Sequence, residues 1–151
     1  MNQIRRAKAT DAKNIQKLIN TFAAKDEMLP RSLNSIYENI RDFLVIEENS
    51  GVVGCCALHV TWGDLAEIRS LAVDETTQGR GYGRLLVERC LDDARELGLP
   101  KVFALTYVPD FFEKLGFSRI SKSELPHKIW SECINCPKFP DCGEEAVQLE
   151  L

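Results

Sequence analysis

The chain has 151 residues, with 19 Lys and Arg against 23 Asp and Glu for a net charge of −4, 44% hydrophobic residues, nine Gly, six Pro and six Cys. These are the proportions of a globular domain with one core, and they exclude a collagen, a coiled coil and a disordered tail. The acidic balance offers no field to a nucleic-acid backbone, no apolar run approaches the roughly 20 residues of a membrane span, and Met1-Asn2-Gln3-Ile4-Arg5-Arg6 lacks a signal peptide's apolar stretch, so a cytoplasmic protein is expected.

Ile4 belongs to a short first strand. Thr10-Asp11 offers a cap to a helix whose Ile15, Leu18, Ile19 and Phe22 recur at i, i+3, i+4 and i+7, one buried stripe. Pro30 and Ser32 open a second helix, in which Leu33, Ile36, Tyr37 and Ile40 keep the same spacing. Phe43 to Glu48 and Val52 to Val60 are rich in strand formers, and Asn49-Ser50-Gly51 between them supplies hairpin chemistry. After Trp62-Gly63-Asp64, Leu65 to Val73 alternates Leu65, Glu67, Arg69, Leu71 and Val73 on one face with Ala66, Ile68, Ser70 and Ala72 on the other.

Gln78 to Gly83 leads into a helix with an apolar band of Leu86, Val87, Cys90, Leu91, Ala94 and Leu97, stopped by Gly98 and Pro100. Val102 to Leu105 reads as a strand, Phe111 to Leu115 as a short helix and Gly116-Phe117 as the entry to the next strand. Ser121 to Gly143 is irregular. Val147, Leu149 and Leu151 alternate with Gln148 and Glu150, as in an edge strand pairing back onto the sheet. The order predicts an α/β fold: a single domain over 1–151 with a mixed, mostly antiparallel sheet flanked by helices.

Gly79, Gly81 and Gly83 lie between a strand and a helix, where backbone N–H groups and the helix N-terminus hold an anion. Arg84 stands where the dinucleotide fingerprint needs its third Gly, and no Gly-Lys-Ser/Thr follows, so both common nucleotide motifs fail. Gln78-Gly79-Arg80-Gly81-Tyr82-Gly83, preceded by Leu71-Ala72-Val73, resembles the Q/R-x-x-G-x-G/A signature of the GNAT superfamily of N-acetyltransferases. Phe111-Phe112-Glu113-Lys114-Leu115-Gly116-Phe117 resembles that family's F-Y/F-x-K-x-G-F block. The resemblance implies acetyl-CoA as cosubstrate, with Gln78, Gly79, Arg80, Gly81, Tyr82, Gly83 and Arg84 around its pyrophosphate. Leu71, Ala72 and Val73 then lend backbone groups to the pantetheine arm. Arg84 also reads as a solvated surface cation.

An amine attacks a thioester only when neutral, so such chemistry needs a base and donors to a tetrahedral oxyanion. Glu67 stands eleven residues before Gln78, the spacing at which several members of the superfamily carry a catalytic Glu. By charge alone it also reads as the partner of Arg69. The family implies an oxyanion donor at the N–H of Leu71 or Ala72. Where many relatives place a Tyr that protonates the leaving thiolate, this chain has Phe112; Tyr107 is the candidate replacement, with water or simple rim packing as alternatives.

Leu29-Pro30-Arg31-Ser32, Gly54-Cys55-Cys56-Ala57-Leu58 and Leu105-Thr106-Tyr107-Val108-Pro109-Asp110-Phe111-Phe112 resemble the acetyltransferase domain of N-acetylglutamate synthases and their short stand-alone relatives. This implies L-glutamate as the amine and arginine biosynthesis as the setting. Arg31 is the candidate grip on a substrate carboxylate, Arg69 a second and Lys128 a third. A cation at a helix start opposes the macrodipole by about 0.3–1 kcal/mol, so Arg31 needs a reason other than the helix. Another amino acid, a polyamine or a protein N-terminus is the alternative substrate, a non-catalytic acyl-CoA-binding regulator the alternative class, and a homodimer is left open. Cys133, Cys136 and Cys142 with His127 offer four zinc ligands in half of a paired C-x-x-C pattern, so zinc competes with free or packed thiols and with redox chemistry. His127 alternatively lines the substrate cleft. Cys55, Cys56 and Cys90 sit in apolar segments, where a thiol acts as a small hydrophobe.

Overall fold

In the computed structural model, which describes residues 3–25, 27–49, 51–125 and 144–151, strands β1 (Gln3–Arg6), β2 (Phe43–Glu48), β3 (Gly51–Trp62), β4 (Leu65–Val73), β5 (Lys101–Thr106), β6 (Ser118–Ile120) and β7 (Glu145–Glu150) form one sheet in the order β1-β2-β3-β4-β5-β7-β6. Only β4 and β5 run parallel. His127, Lys128, Cys133, Cys136 and Cys142 lie outside the described residues.

Helices cover both faces. On one, Ile15, Leu18, Ile19 and Phe22 of α1 (Ala12–Ala23) and Ile36 of α2 (Leu33–Glu38) pack on Phe43, Val45, Cys55, Ala57 and Ala72. On the other, Leu86, Val87, Cys90, Leu91 and Ala94 of α3 (Tyr82–Glu96) and Phe112 of α4 (Pro109–Lys114) meet Leu44, Ile46, Cys56, Leu58, Ala66, Ile68, Val102, Ala104 and Val147. Each large apolar side chain buried in these layers stabilises by about 1.5–3 kcal/mol relative to exposure.

Three local expectations are corrected. The second helix ends before Ile40, which enters a 3-10 turn (Ile40–Asp42) delivering the chain to β2. Asp11 makes no side-chain cap on α1; its carboxylate accepts from the Lys8 N–H and from Arg5, and Arg5 holds it below the usual carboxylate range. β7 is not an edge strand: it sits between β5 and the three-residue β6, so β6 takes the rim.

A fourth correction bears on the site. β3 pairs Leu58 with Ile68 and Ala57 with Arg69, then Cys55 with Ala72, so one extra residue enters β4 at Ser70. Ser70 has φ 56°, the one positive φ outside glycine among the described residues, a conformation costing about 1–3 kcal/mol. The bulge shifts the alternation by one. Glu67 and Arg69 therefore share the α1/α2 side with Ala72, while Leu71 and Val73 turn to the α3 side with Ala66 and Ile68. Pairing of β4 with β5 runs from Leu65 opposite Lys101 to Ile68 opposite Ala104 and stops there. β5 continues on β7 to Thr106, so past Ile68 the two parallel strands separate.

Candidate functional site

The separation leaves the backbone of Arg69 to Val73 without a strand on its β5 side. Such unpaired N–H and C=O groups are a template for an extended polar chain. The glycine loop lies at the end of this opening, tied back by Gln78, whose Nε2 donates to the Val73 carbonyl at 3.0 Å. Gly79 and Gly81 have φ of 87° and 81°, and a Cβ on either would meet nothing within 4 Å. Glycine is thus required there by the backbone turn and leaves the loop surface open. The N–H groups of Gly79, Arg80 and Gly81 make no backbone hydrogen bond among the described residues, and Gly81 caps α3. Those N–H groups and the first turn of a 15-residue helix form a concentrated positive end.

Side chains fix the loop from outside. The buried Tyr82 donates its hydroxyl to Glu48, and Arg80 Nη1 reaches Glu48 Oε2 at 3.2 Å. A Cβ on Gly83 would stand 3.3 Å from the Phe111 ring, so this glycine lets α3 press against α4. Arg84 pairs with Glu88 at 2.7 Å on an exposed helix face, as a surface cation would. Phe112 is core, edge-on to Phe111 and Phe117.

Glu67 is buried midway along the sheet, with Arg69 Nε donating to its Oε1 at 2.6 Å. The reading of Glu67 as the partner of Arg69 holds, and in the sheet it lies in the half of β4 that is paired on both sides. Along the strand register, His59 of β3 lies directly across from Glu67 and Phe103 of β5 on its other side. His59 Nδ1 is 2.7 Å from Asp42 Oδ2. No signal in the sequence marks His59 and Asp42: the closing pair Trp62–Leu65 would place His59 opposite Ile68, and the irregularity between Val60 and Trp62 sets it across from Glu67 instead.

Arg31, from the residue before the Ser32 cap of α2, reaches the same face. Its Nη1 donates to Ser70 Oγ at 3.2 Å, its Nη2 to Ser35 Oγ at 2.9 Å, and its guanidinium lies 5.1 Å from the Phe43 ring centroid. Burial, and next the Arg69 charge, lower it from the usual guanidinium range. Among the described residues it makes no ion pair with a carboxylate. Under the bulge, Cys55 Sγ lies 3.3 Å from the Ser70 carbonyl, and burial pushes this thiol up to about 12 against the pull of the Ala72 N–H. A thiol that hard to ionise is a packing group and no nucleophile. Tyr107 stands half-buried just past the end of β5, across the opening from β4. The described residues hold no cluster of three metal-ligating side chains and no helix long and apolar enough to cross a membrane.

The model of the acetyltransferase (GNAT) family matches residues 9–117. The chain is 43% identical over 144 residues, 95% of its length and 93% of the relative's, to an uncharacterized N-acetyltransferase of Chlorobaculum tepidum. It is 40% identical over 132 residues to an amino-acid acetyltransferase of Mycobacterium tuberculosis, covering 85% of this chain and 75% of that one. Among solved structures, a Mycobacterium tuberculosis protein in complex with CoA superposes with TM-score 0.84 at 35% identity over 99% of both chains. N-acetylglutamate synthase from Neisseria gonorrhoeae, complexed with coenzyme A and N-acetyl-glutamate, superposes with TM-score 0.87 at 28% identity, covering all of this chain and 35% of that one.

Proposed function

The chain belongs to the acetyltransferase (GNAT) family, and on that premise we propose that it transfers the acetyl group of acetyl-CoA to the amino group of L-glutamate. The carrying observation is Arg31: a half-buried guanidinium held by two hydroxyls and an aromatic ring, beside Arg69, on the face of the base. Beside the Arg69 guanidinium that pairs with Glu67, Arg31 makes no carboxylate ion pair among the described residues; its partly desolvated cation favours an anionic substrate, and a planar fork suits a carboxylate. The same cation disfavours a polyamine. Relatives named amino-acid acetyltransferase, and a neighbour complexed with N-acetyl-glutamate, support this reading, and the setting we propose for it is arginine biosynthesis in the cytoplasm.

The site fits acetyl-CoA on its own features. The loop glycines leave room for a pyrophosphate against their N–H groups, and the β4–β5 opening takes an extended pantetheine arm. Bound there, acetyl-CoA supplies the electrophilic thioester carbonyl. Glu67 takes the proton that keeps the amine from attacking, and Arg69 fixes the carboxylate in place. Of the two oxyanion donors that the family implies, the Ala72 N–H lies against the Cys55 sulfur, which favours the Leu71 N–H. Tyr107, just past the end of β5, is the group we assign to return a proton to the leaving thiolate.

Arg31→Ala tests the substrate. A charge-assisted hydrogen bond to an ion is worth about 1.5–3 kcal/mol, so KM for glutamate should rise by about 10- to 150-fold. Acetyl-CoA affinity by calorimetry should hold, and Arg31→Lys should restore part of the loss. Unaltered glutamate kinetics in Arg31→Ala would remove the assignment.

A further inference from the structure

The reaction leaves a proton to dispose of. An ammonium and a thioester become an amide, a thiol and one proton: the ammonium loses one proton before attack and a second as the tetrahedral adduct collapses, and only the second is taken up by the thiolate. The first arrives at Glu67, whose side chain is 10% exposed. A buried carboxylate must be emptied before the next turnover, and Arg69 Nε already occupies its Oε1.

Beside it stands a group suited to that task. His59 faces Glu67 across the β3–β4 pair, a position that holds two Cβ atoms about 4.5–5.5 Å apart, within reach through one water. Its side chain is 27% exposed, nearly three times as open as that of Glu67. Asp42, in the turn before β2, lies on Nδ1 at 2.7 Å. A carboxylate accepts and cannot donate, so Nδ1 carries the hydrogen, and in the neutral ring the lone pair is on Nε2. Imidazole is the side chain whose ordinary range lets it take and give a proton near neutrality. Among the described residues, the charged groups on this face include Asp42 from the turn, Glu67 and Arg69 from β4, and Arg31 ahead of α2.

We propose that His59, oriented by Asp42, is the relay that carries the amine's first proton from Glu67 to solvent. The proton passes from the substrate nitrogen to the Glu67 carboxylate, then to His59 Nε2, then to water, and no other bond changes. The inference rests on acetyl transfer at Glu67. It does not rest on glutamate, because every ammonium substrate sheds the same proton.

The test is steady-state turnover of His59→Gln with whichever amine the wild-type enzyme acetylates fastest. A wild type that ignores glutamate but acetylates another amine sinks the substrate proposal and leaves this experiment intact. Gln keeps a donor for Asp42 and removes the titrating ring. At pH 7, kcat should fall about 10- to 100-fold, at or below the low end of what a group in direct contact with the reacting atoms contributes, with KM for both substrates within about twofold. Added imidazole should restore kcat in His59→Gln saturably and leave the wild type unaffected, a response that a merely structural role would not give. Should His59→Gln fail to fold, His59→Asn removes the same ring and provides the same readout, a lowered kcat raised by imidazole. Wild-type turnover in His59→Gln, a loss confined to KM, or a kcat loss that imidazole does not repair would overturn the relay.

Discussion

β4 before Ser70 and β4 after it differ in almost every respect. From Leu65 to Ile68 the strand is paired with β3 on one side and β5 on the other, and all four residues are buried. From Arg69 to Val73 it keeps only β3, and Ala72 alone is buried. The first half carries the core and presents Glu67; the second exposes backbone toward the glycine loop. One extra residue makes the difference, at a position that accepts a strained backbone, and strain of that kind is found where structure is spent on function.

The contrast can be broken at several points. Glu67→Gln should slow acetylation by about 10²–10⁴-fold near neutral pH while acetyl-CoA affinity is unchanged, because the side chain belongs to the chemistry and the second half of β4 to the cosubstrate. Full activity in that variant would leave Glu67 as nothing more than the partner of Arg69. On the stability side, Ile68→Ala should cost about 2–5 kcal/mol in urea unfolding and Leu71→Ala distinctly less, since Ile68 is buried and Leu71 half-buried. Equal costs would show that the second half is as firmly packed as the first.

Gly81→Val should weaken acetyl-CoA binding by about tenfold or more in calorimetry, because a β-branched residue at φ 81° strains the turn and covers its N–H groups. Undiminished affinity in a folded variant would move the pyrophosphate elsewhere. The smallest effects should come from Ser70 itself. Ser70→Val should destabilise by about 1–3 kcal/mol, whereas Ser70→Gly should stay within about 1 kcal/mol of the parent by relieving the backbone while losing the hydroxyl that accepts from Arg31.

The glycine loop and the Glu67–Arg69 pair were legible in the sequence because both are local: Gly79 and Gly81 announce positive φ, and opposite charges two residues apart share a strand face, whereas the proposed base role of Glu67 rests on a spacing shared with the family. The bulge was not. Serine is no marker of a left-handed residue, and Leu71 and Val73 continue the apolar alternation whichever face they meet, so the shift appears only when β3 fixes the register. The inner place of β7 was hidden for a related reason, since its pairing with both β5 and β6 depends on contacts remote in the chain. Arg31 was legible as an oddity at a helix start; its seat over Phe43 and against Ser70 required the tertiary fold.

The role proposed for Arg31 turns on the identity of the amine. Purified enzyme incubated with acetyl-CoA and a panel of amino acids and polyamines, with free CoA thiol followed over time, measures it in a single experiment. The highest kcat/KM is expected for glutamate, a lower value for glutamine and little release with spermidine. Efficient acetylation of spermidine with no response to glutamate would contradict that role.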